Sequence, residues 1–159
     1  MKNELLTTAM KNSISDVLET MFFLSLDYSD DVDIHELWST GKGQILASKL
    51  NFEGPFSGNT VFYIPQKIAL SITADFLGKD EEDVSDDQIN GTVKELINML
   101  TGNTFSNYDP DVVFNLEVPE MVKFDDFLKD LSDSEKTVSI VIETMENHLA
   151  FQMNVRIDD

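Results

Sequence analysis

Few side chains in this 159-residue chain have a type and spacing suited to chemistry. The two histidines, His35 and His148, belong to no His-Glu-x-x-His arrangement, so they do not read as a zinc site. The acidic stretch 27–36 holds Asp27, Asp30, Asp31, Asp33 and Glu36, yet Val32 stands where a calcium loop needs its turn glycine and Trp38 where it needs a bidentate glutamate. It reads as solvated charge. Gly41-Lys42-Gly43 lacks the earlier glycine and the following hydroxyl residue of a phosphate loop. With no cysteine, thiolate ligands and disulfides are excluded. On the segment after Ser85, Glu95 and Asn98 are an acid and an amide three residues apart. On a helix they stand side by side, and the apolar stripe of that segment lies on the opposite side, so both face water. A carboxylate accepts hydrogen bonds and pairs with cations, whereas a side-chain amide both donates and accepts. Exposed Glu and Asn are also ordinary surface residues, so type and spacing leave their use open.

The helix that carries them is the most strongly marked element. Ser85 and Gln88 form a capping box, Val84 and Ile89 can close a hydrophobic staple over it, and Asp86 and Asp87 suit the positive end of the helix dipole. Ile89, Val93, Leu96, Ile97 and Leu100 make one stripe, and Gly102 offers the stop. Gly91 sits mid-helix on the Glu95 and Asn98 side, at a cost of roughly 1 kcal/mol against alanine, which a bare patch for close approach by a partner could offset.

Around this helix the periodicity predicts an α+β arrangement. A helix is expected from Glu4 to Phe23 through Leu6, Met10, Ile14, Val17, Leu18 and Met21. Met10, Met21 and Phe22 read as core or subunit contact. Stretch 27–36 reads as a loop or short irregular element, ended by Gly41-Lys42-Gly43. Leu46, Ser48, Leu50 and Phe52 alternate as one side of a strand, paired as a hairpin with Thr60 to Ile64 across a Gly-Pro turn. Pro65 opens a helix that Gly78 closes. Strands are expected at Phe114 to Val118, Val138 to Ile142 and Leu149 to Ile157, the last two antiparallel about a turn near Glu146-Asn147. The linker from Met121 to Glu135 is expected to hold a short helical turn. Ser15 to Phe22 aligns weakly with Gly91 to Asn98 at an offset of 76, as two related halves would.

Length predicts one domain spanning residues 1–159, and 42% hydrophobic residues suffice for its core. Eleven Lys and Arg against thirty Asp and Glu leave a net charge of −19, with Arg156 the single arginine, which makes nucleic acid a poor partner, and none is expected. The same charge should tune encounter with a basic partner surface and make association salt-sensitive. No apolar run is long enough to span a membrane and no basic start precedes a short apolar block, so the expected setting is the cytoplasm.

The string Glu95-Leu96-Ile97-Asn98-Met99-Leu100-Thr101-Gly102-Asn103 resembles the central motif of the CheC/CheX/FliY family of chemotaxis phosphatases, in which an Asp or Ser is followed after three residues by Glu, after two more by Asn, and by a Pro some twenty-two residues later. Here Pro119 follows Asn98 after twenty residues, and the position four before Glu95 is Gly91 instead of Asp or Ser. In the first helix Ser15 and Glu19 keep the spacing, but Phe22 replaces the Asn, and an aromatic ring cannot stand in for an amide. That half should be inactive. One complete motif, together with an element order covering most of the chain, looks most like CheX.

The resemblance implies a CheC-like fold, an antiparallel-rich sheet with the long helices packed on one face, built from two pseudo-twofold halves. It implies a phosphatase acting on the aspartyl phosphate of a CheY-type response regulator. Asn98 would orient the attacking water and Glu95 would pair with the regulator's active-site Lys. Gly91, Lys94 and Gly102 on the same helix are further candidate contacts to that partner. No cofactor or metal is expected on this chain, because the Mg²⁺ belongs to the regulator. A homodimer is implied, with the strand Leu149 to Ile157 as a candidate intersubunit strand. Two other readings stand beside this one: a noncatalytic adaptor for a receiver or flagellar switch component, and an acidic interaction module of unrelated fold.

Overall fold

A computed structural model describes residues 3–20, 26–29, 38, 44–124, 135–144 and 147–156. Phe22, Met21, His35, Gly41-Lys42-Gly43, Phe127, Leu128, Glu146 and Ile157 lie outside them, so the readings that rest on those positions are not addressed by it.

Helix α1 (Asn3–Ile14) continues through a π-helical turn, Ser15–Glu19, in which the Thr20 N–H donates to Ser15 O. Helix α2 (Gln66–Leu77) starts directly after Pro65, whose fixed φ suits that place, and ends at Gly78 with φ 65°, a left-handed value that glycine adopts without strain. Helix α3 (Asp86–Tyr108) carries both arms of the expected capping box: the Gln88 N–H donates to Ser85 Oγ at 3.2 Å, and the Ser85 N–H donates to Gln88 Oε1 at 3.0 Å. Val84 and Ile89 join the same apolar cluster.

The strands are β1 (Asp27–Ser29), β2 (Ile45–Glu53), β3 (Gly58–Pro65), β4 (Asn115–Leu116), β5 (Glu120–Val122), β6 (Glu135–Glu143) and β7 (His148–Arg156). They form one seven-stranded antiparallel sheet in the order β1-β6-β7-β3-β2-β4, with β5 also paired to β2. Hairpin β6–β7 begins its two strands at 135 and 148, which is hairpin β2–β3 at 45 and 58 moved by 90 residues. β3 and β7 pair at the centre, and each outer strand pairs with the hairpin of the other half, β1 on β6 and β4 with β5 on β2. That exchange is the pseudo-twofold organisation.

The core lies between the helices and one sheet face. Leu6, Met10 and Ile14 of α1 and Val93, Leu96 and Leu100 of α3 pack with Leu50, Phe62, Ile140 and Phe151 of the sheet, all fully or almost fully buried. The opposite face is lined by smaller residues, Ala47, Val61 and Ala150 among them, and there Trp38 packs tilted and Phe124 edge-on against Tyr63.

Four expectations are corrected. Asp27–Ser29 is a strand, because its backbone pairs with the edge of β6. Gly102 does not stop α3: burial of Thr101, Thr104 and Phe105 carries the helix on to Tyr108, and Gly78 is the one glycine with positive φ among the described residues. The strand expected at Phe114 to Val118 shortens to Asn115–Leu116, and Val118 is 87% exposed, with Pro119 next to it unable to donate to a ladder. β7 is no intersubunit strand, since both its edges are taken by β3 and β6.

Candidate functional site

Both residues of the expected pair lie on the outer face of α3, and both are exposed. Leu96 and Ile97, between them in sequence, are buried, so the helix cannot rotate to hide the pair without losing two core side chains. Further anchors lie one turn on. Ser13 Oγ of α1 donates to Leu100 O at 2.7 Å, and the hydroxyls of Thr60 on β3 and Thr101 meet at 2.8 Å. α3 is therefore held on its inner side by packing and by buried hydrogen bonds, which fixes the direction in which the outer side presents Glu95 and Asn98.

Around the helix axis, Lys94 lies about 40° to one side of Asn98 and Glu95 about 60° to the other. The amide is thus flanked by a cation and an anion. Among the described residues neither the Glu95 nor the Asn98 side chain has a hydrogen-bond or ion-pair partner. Gly91 is exposed, and a methyl group added there would meet nothing within 4 Å, so the helix is bare one turn before the pair. Gly102, one turn after, is partly buried, with Leu116 Cδ1 3.9 Å from the place its Cβ would take. Gly91, Lys94, Glu95, Asn98 and Gly102 therefore lie along one side of a single helix.

The first half differs. Ser15 Oγ donates to Glu19 Oε2 at 2.8 Å, and the Tyr28 hydroxyl donates to Glu19 Oε1 at 3.2 Å. Burial and the neighbouring Glu19 carboxylate both push the Tyr28 phenol above its usual pKa, which keeps it protonated and donating. Here the glutamate is committed internally on both oxygens. Sequence reading missed Tyr28, because a residue that reaches Glu19 from a separate strand leaves no signal in helical spacing.

His148 lies with Nε2 3.8 Å from Glu143 Oε1 on the neighbouring strand, at the partly exposed end of the β6–β7 hairpin. No group of three or more His, Asp or Glu among the described residues is placed to hold a metal ion. Among the same residues, no helix is long and apolar enough to cross a membrane. The arrangement can therefore offer an outward acid, amide and cation to a second molecule.

Residues 46–143 match the family model described as chemotaxis phosphatase CheX. No curated protein matches the chain in sequence. Among solved structures, a chemotactic CheC-like protein from Shewanella oneidensis superposes with a TM-score of 0.73 at 18% identity, covering 98% of this chain and 100% of that one. A CheX from Borrelia burgdorferi, solved as a complex with CheY, BeF3 and Mg²⁺, gives 0.71 at 14% identity over 94% and 96% of the two chains. CheX from Vibrio vulnificus gives 0.69 at 16% identity over 95% and 96%.

Proposed function

The chain belongs to the chemotaxis phosphatase CheX family, and on that premise we propose that it stimulates hydrolysis of the aspartyl phosphate on a CheY-type response regulator, with Asn98 orienting the attacking water and Glu95 holding the regulator's active-site Lys. The observation that carries this reading is the exposed Glu95 and Asn98, without a partner among the described residues, on the outer face of a helix whose inner face is locked into the core. A structural neighbour solved with CheY supports the choice of partner.

Hydrolysis of an acyl phosphate asks little covalent chemistry of a helper, because the receiver's Mg²⁺ and Lys already neutralise the phosphoryl oxygens. The helper's task is to place a water in line with phosphorus. The Asn98 amide does this with its carbonyl oxygen accepting from the water and its NH₂ donating to a phosphoryl oxygen. A carboxylate beside that phosphoryl group would be repelled, so Glu95 acts on a cation instead. Its position beside Asn98 lets an ion pair at one residue aim the other. Lys94 on the far side of Asn98, with the bare positions at Gly91 and Gly102, completes the surface that meets the receiver. Mg²⁺ arrives with the partner and no cofactor is assigned to this chain. A cytoplasmic setting goes with that partner. A homodimer, if it forms through the sheet, uses an edge other than β7, whose neighbours are both in place.

Phosphate release from a phosphorylated receiver tests this directly. Asn98→Ala is expected to lower the stimulated rate at least about 100-fold while binding persists, and Glu95→Ala to weaken association by roughly tenfold or more. Full activity in the Asn98 variant would overturn the assignment. Binding by the wild type with no phosphate released would instead identify a noncatalytic receiver-binding module.

A further inference from the structure

The outer side of α3 does not end at Asn98. Seven residues on, Phe105 comes back to within about 20° of Asn98 around the axis and about 10 Å farther along it, with Gly102 between them. Asn98 is exposed, but Phe105 is 5% exposed: it packs on Phe52 and Phe56 in the core and on Phe114, which belongs to the chain from Pro110 to Leu116 that covers this end of the helix. Where that cover meets the helix there is a cavity of about 220 Å³ lined by Gly102, Phe105, Ser106, Val113, Phe114 and Leu116.

Its wall is aromatic and braced. Phe105 and Phe114 stack at 3.9 Å with their planes 6° apart, and Phe52 and Phe56 pack edge-on against both. Phe114 can occupy that place because residue 54 is glycine; a Cβ there would stand 2.6 Å from Phe114 Cδ1. Val113 on the rim is 76% exposed, a large apolar side chain left in water beside an opening. One carboxylate lines the cavity as well: Asp109, its Oδ1 accepting the Asp111 N–H at 3.1 Å in a tight turn.

Resting on the phosphatase reading above, we propose that this cavity is the second anchor for the same receiver, taking one aliphatic or aromatic side chain that the receiver presents beside a basic residue. The volume favours a side chain over a free metabolite, since small-molecule sites start near about 300 Å³. Continuity with the Asn98 face sets the partner, because Gly102, one turn beyond Asn98 on the same side, has no side chain to obstruct a domain that covers both. The Asp109 carboxylate at the cavity, on a chain of net charge −19, sets the neighbouring cation. A fixed aromatic wall receives such a side chain with little entropy left to lose on binding.

The test uses the full chain with a CheY-type receiver chosen from a purified panel as the one the wild type dephosphorylates fastest, and binding is measured with that receiver loaded with Mg²⁺ and beryllofluoride, a phosphoryl mimic. Val113→Lys should raise KM and the binding constant Kd roughly tenfold and leave kcat unchanged, while Val113→Leu stays near wild type. Circular dichroism melting confirms folding, which substitution at so exposed a position should spare. An active wild type whose Val113→Lys variant keeps KM and Kd within about twofold, well under the tenfold that 1.4 kcal/mol represents, overturns the cavity proposal alone. A panel in which the wild type accelerates no receiver overturns the phosphatase reading, and this proposal with it.

Discussion

Ser15 and Gly91 stand at matching places in the repeat, and the serine hydroxyl is one of two groups that occupy Glu19. Where the serine is present, its hydroxyl and that of Tyr28 take both oxygens of Glu19. Among the described residues no group takes the oxygens of Glu95, which leaves them to a visitor. Gly91 also has a measurable cost in the helix. Because an added methyl meets nothing within 4 Å, Gly91→Ala should stabilise the protein by up to about 1 kcal/mol in urea unfolding. If the glycine serves close approach, the same variant will bind its receiver more weakly despite being more stable. No gain in stability would contradict the helix argument. The outward pair itself was legible in the sequence, because Glu95 and Asn98 fall opposite the stripe that Ile89 to Leu100 must bury. The partner of Glu19 was not, since Tyr28 comes from a strand that the acidic composition of 27–36 had disguised as loop.

At the scale of elements, the start of α3 was written in local chemistry and its end was not. A capping box needs only residues three apart, so Ser85 and Gln88 declare it in sequence and make it in the fold. Ser85→Ala removes the acceptor for the Gln88 N–H and should lower stability by about 1 kcal/mol, read as a lower midpoint in urea. An unchanged midpoint would show that the end of this helix is held by packing instead. Gly102 looked like a stop because glycine often ends helices, but Phe105 and Thr104 find burial beyond it, and tertiary contact outweighs a propensity of about 1 kcal/mol. The extra turn matters, since it carries the helix under Phe114 and forms one wall of the cavity beside the candidate site. The π-helical turn at Ser15–Glu19 is likewise invisible to a period of 3.6, which it interrupts.

For the whole molecule, the two halves meet along β3 and β7, and Tyr63 binds across that seam with its hydroxyl donating to Gln152 Oε1 at 3.0 Å. Burial raises the Tyr63 phenol far above its ordinary value of 10.0. The unfolded chain therefore releases this proton near pH 10 while the folded one retains it, so the stabilisation is complete below pH 10 and is lost as pH rises above it. Each pH unit in that window costs about 1.4 kcal/mol per such group. Tyr63→Phe should be somewhat less stable at pH 7, because Gln152 loses a donor, yet its stability should fall less steeply above pH 10. Parallel profiles for the two proteins would refute that account. Hydrophobic periodicity determined which segments are helices and long strands and which face of α3 is wet, and the capping box where that helix begins, because those are one-dimensional consequences of burial and capping. Only the tertiary structure decided that β1 and β4 cross to the opposite hairpins, that β7 lies at the centre instead of an edge, and that a cavity opens from Gly102 onward, one turn past Asn98. Such features arise from contacts between residues far apart in the chain, and no spacing along the sequence records them.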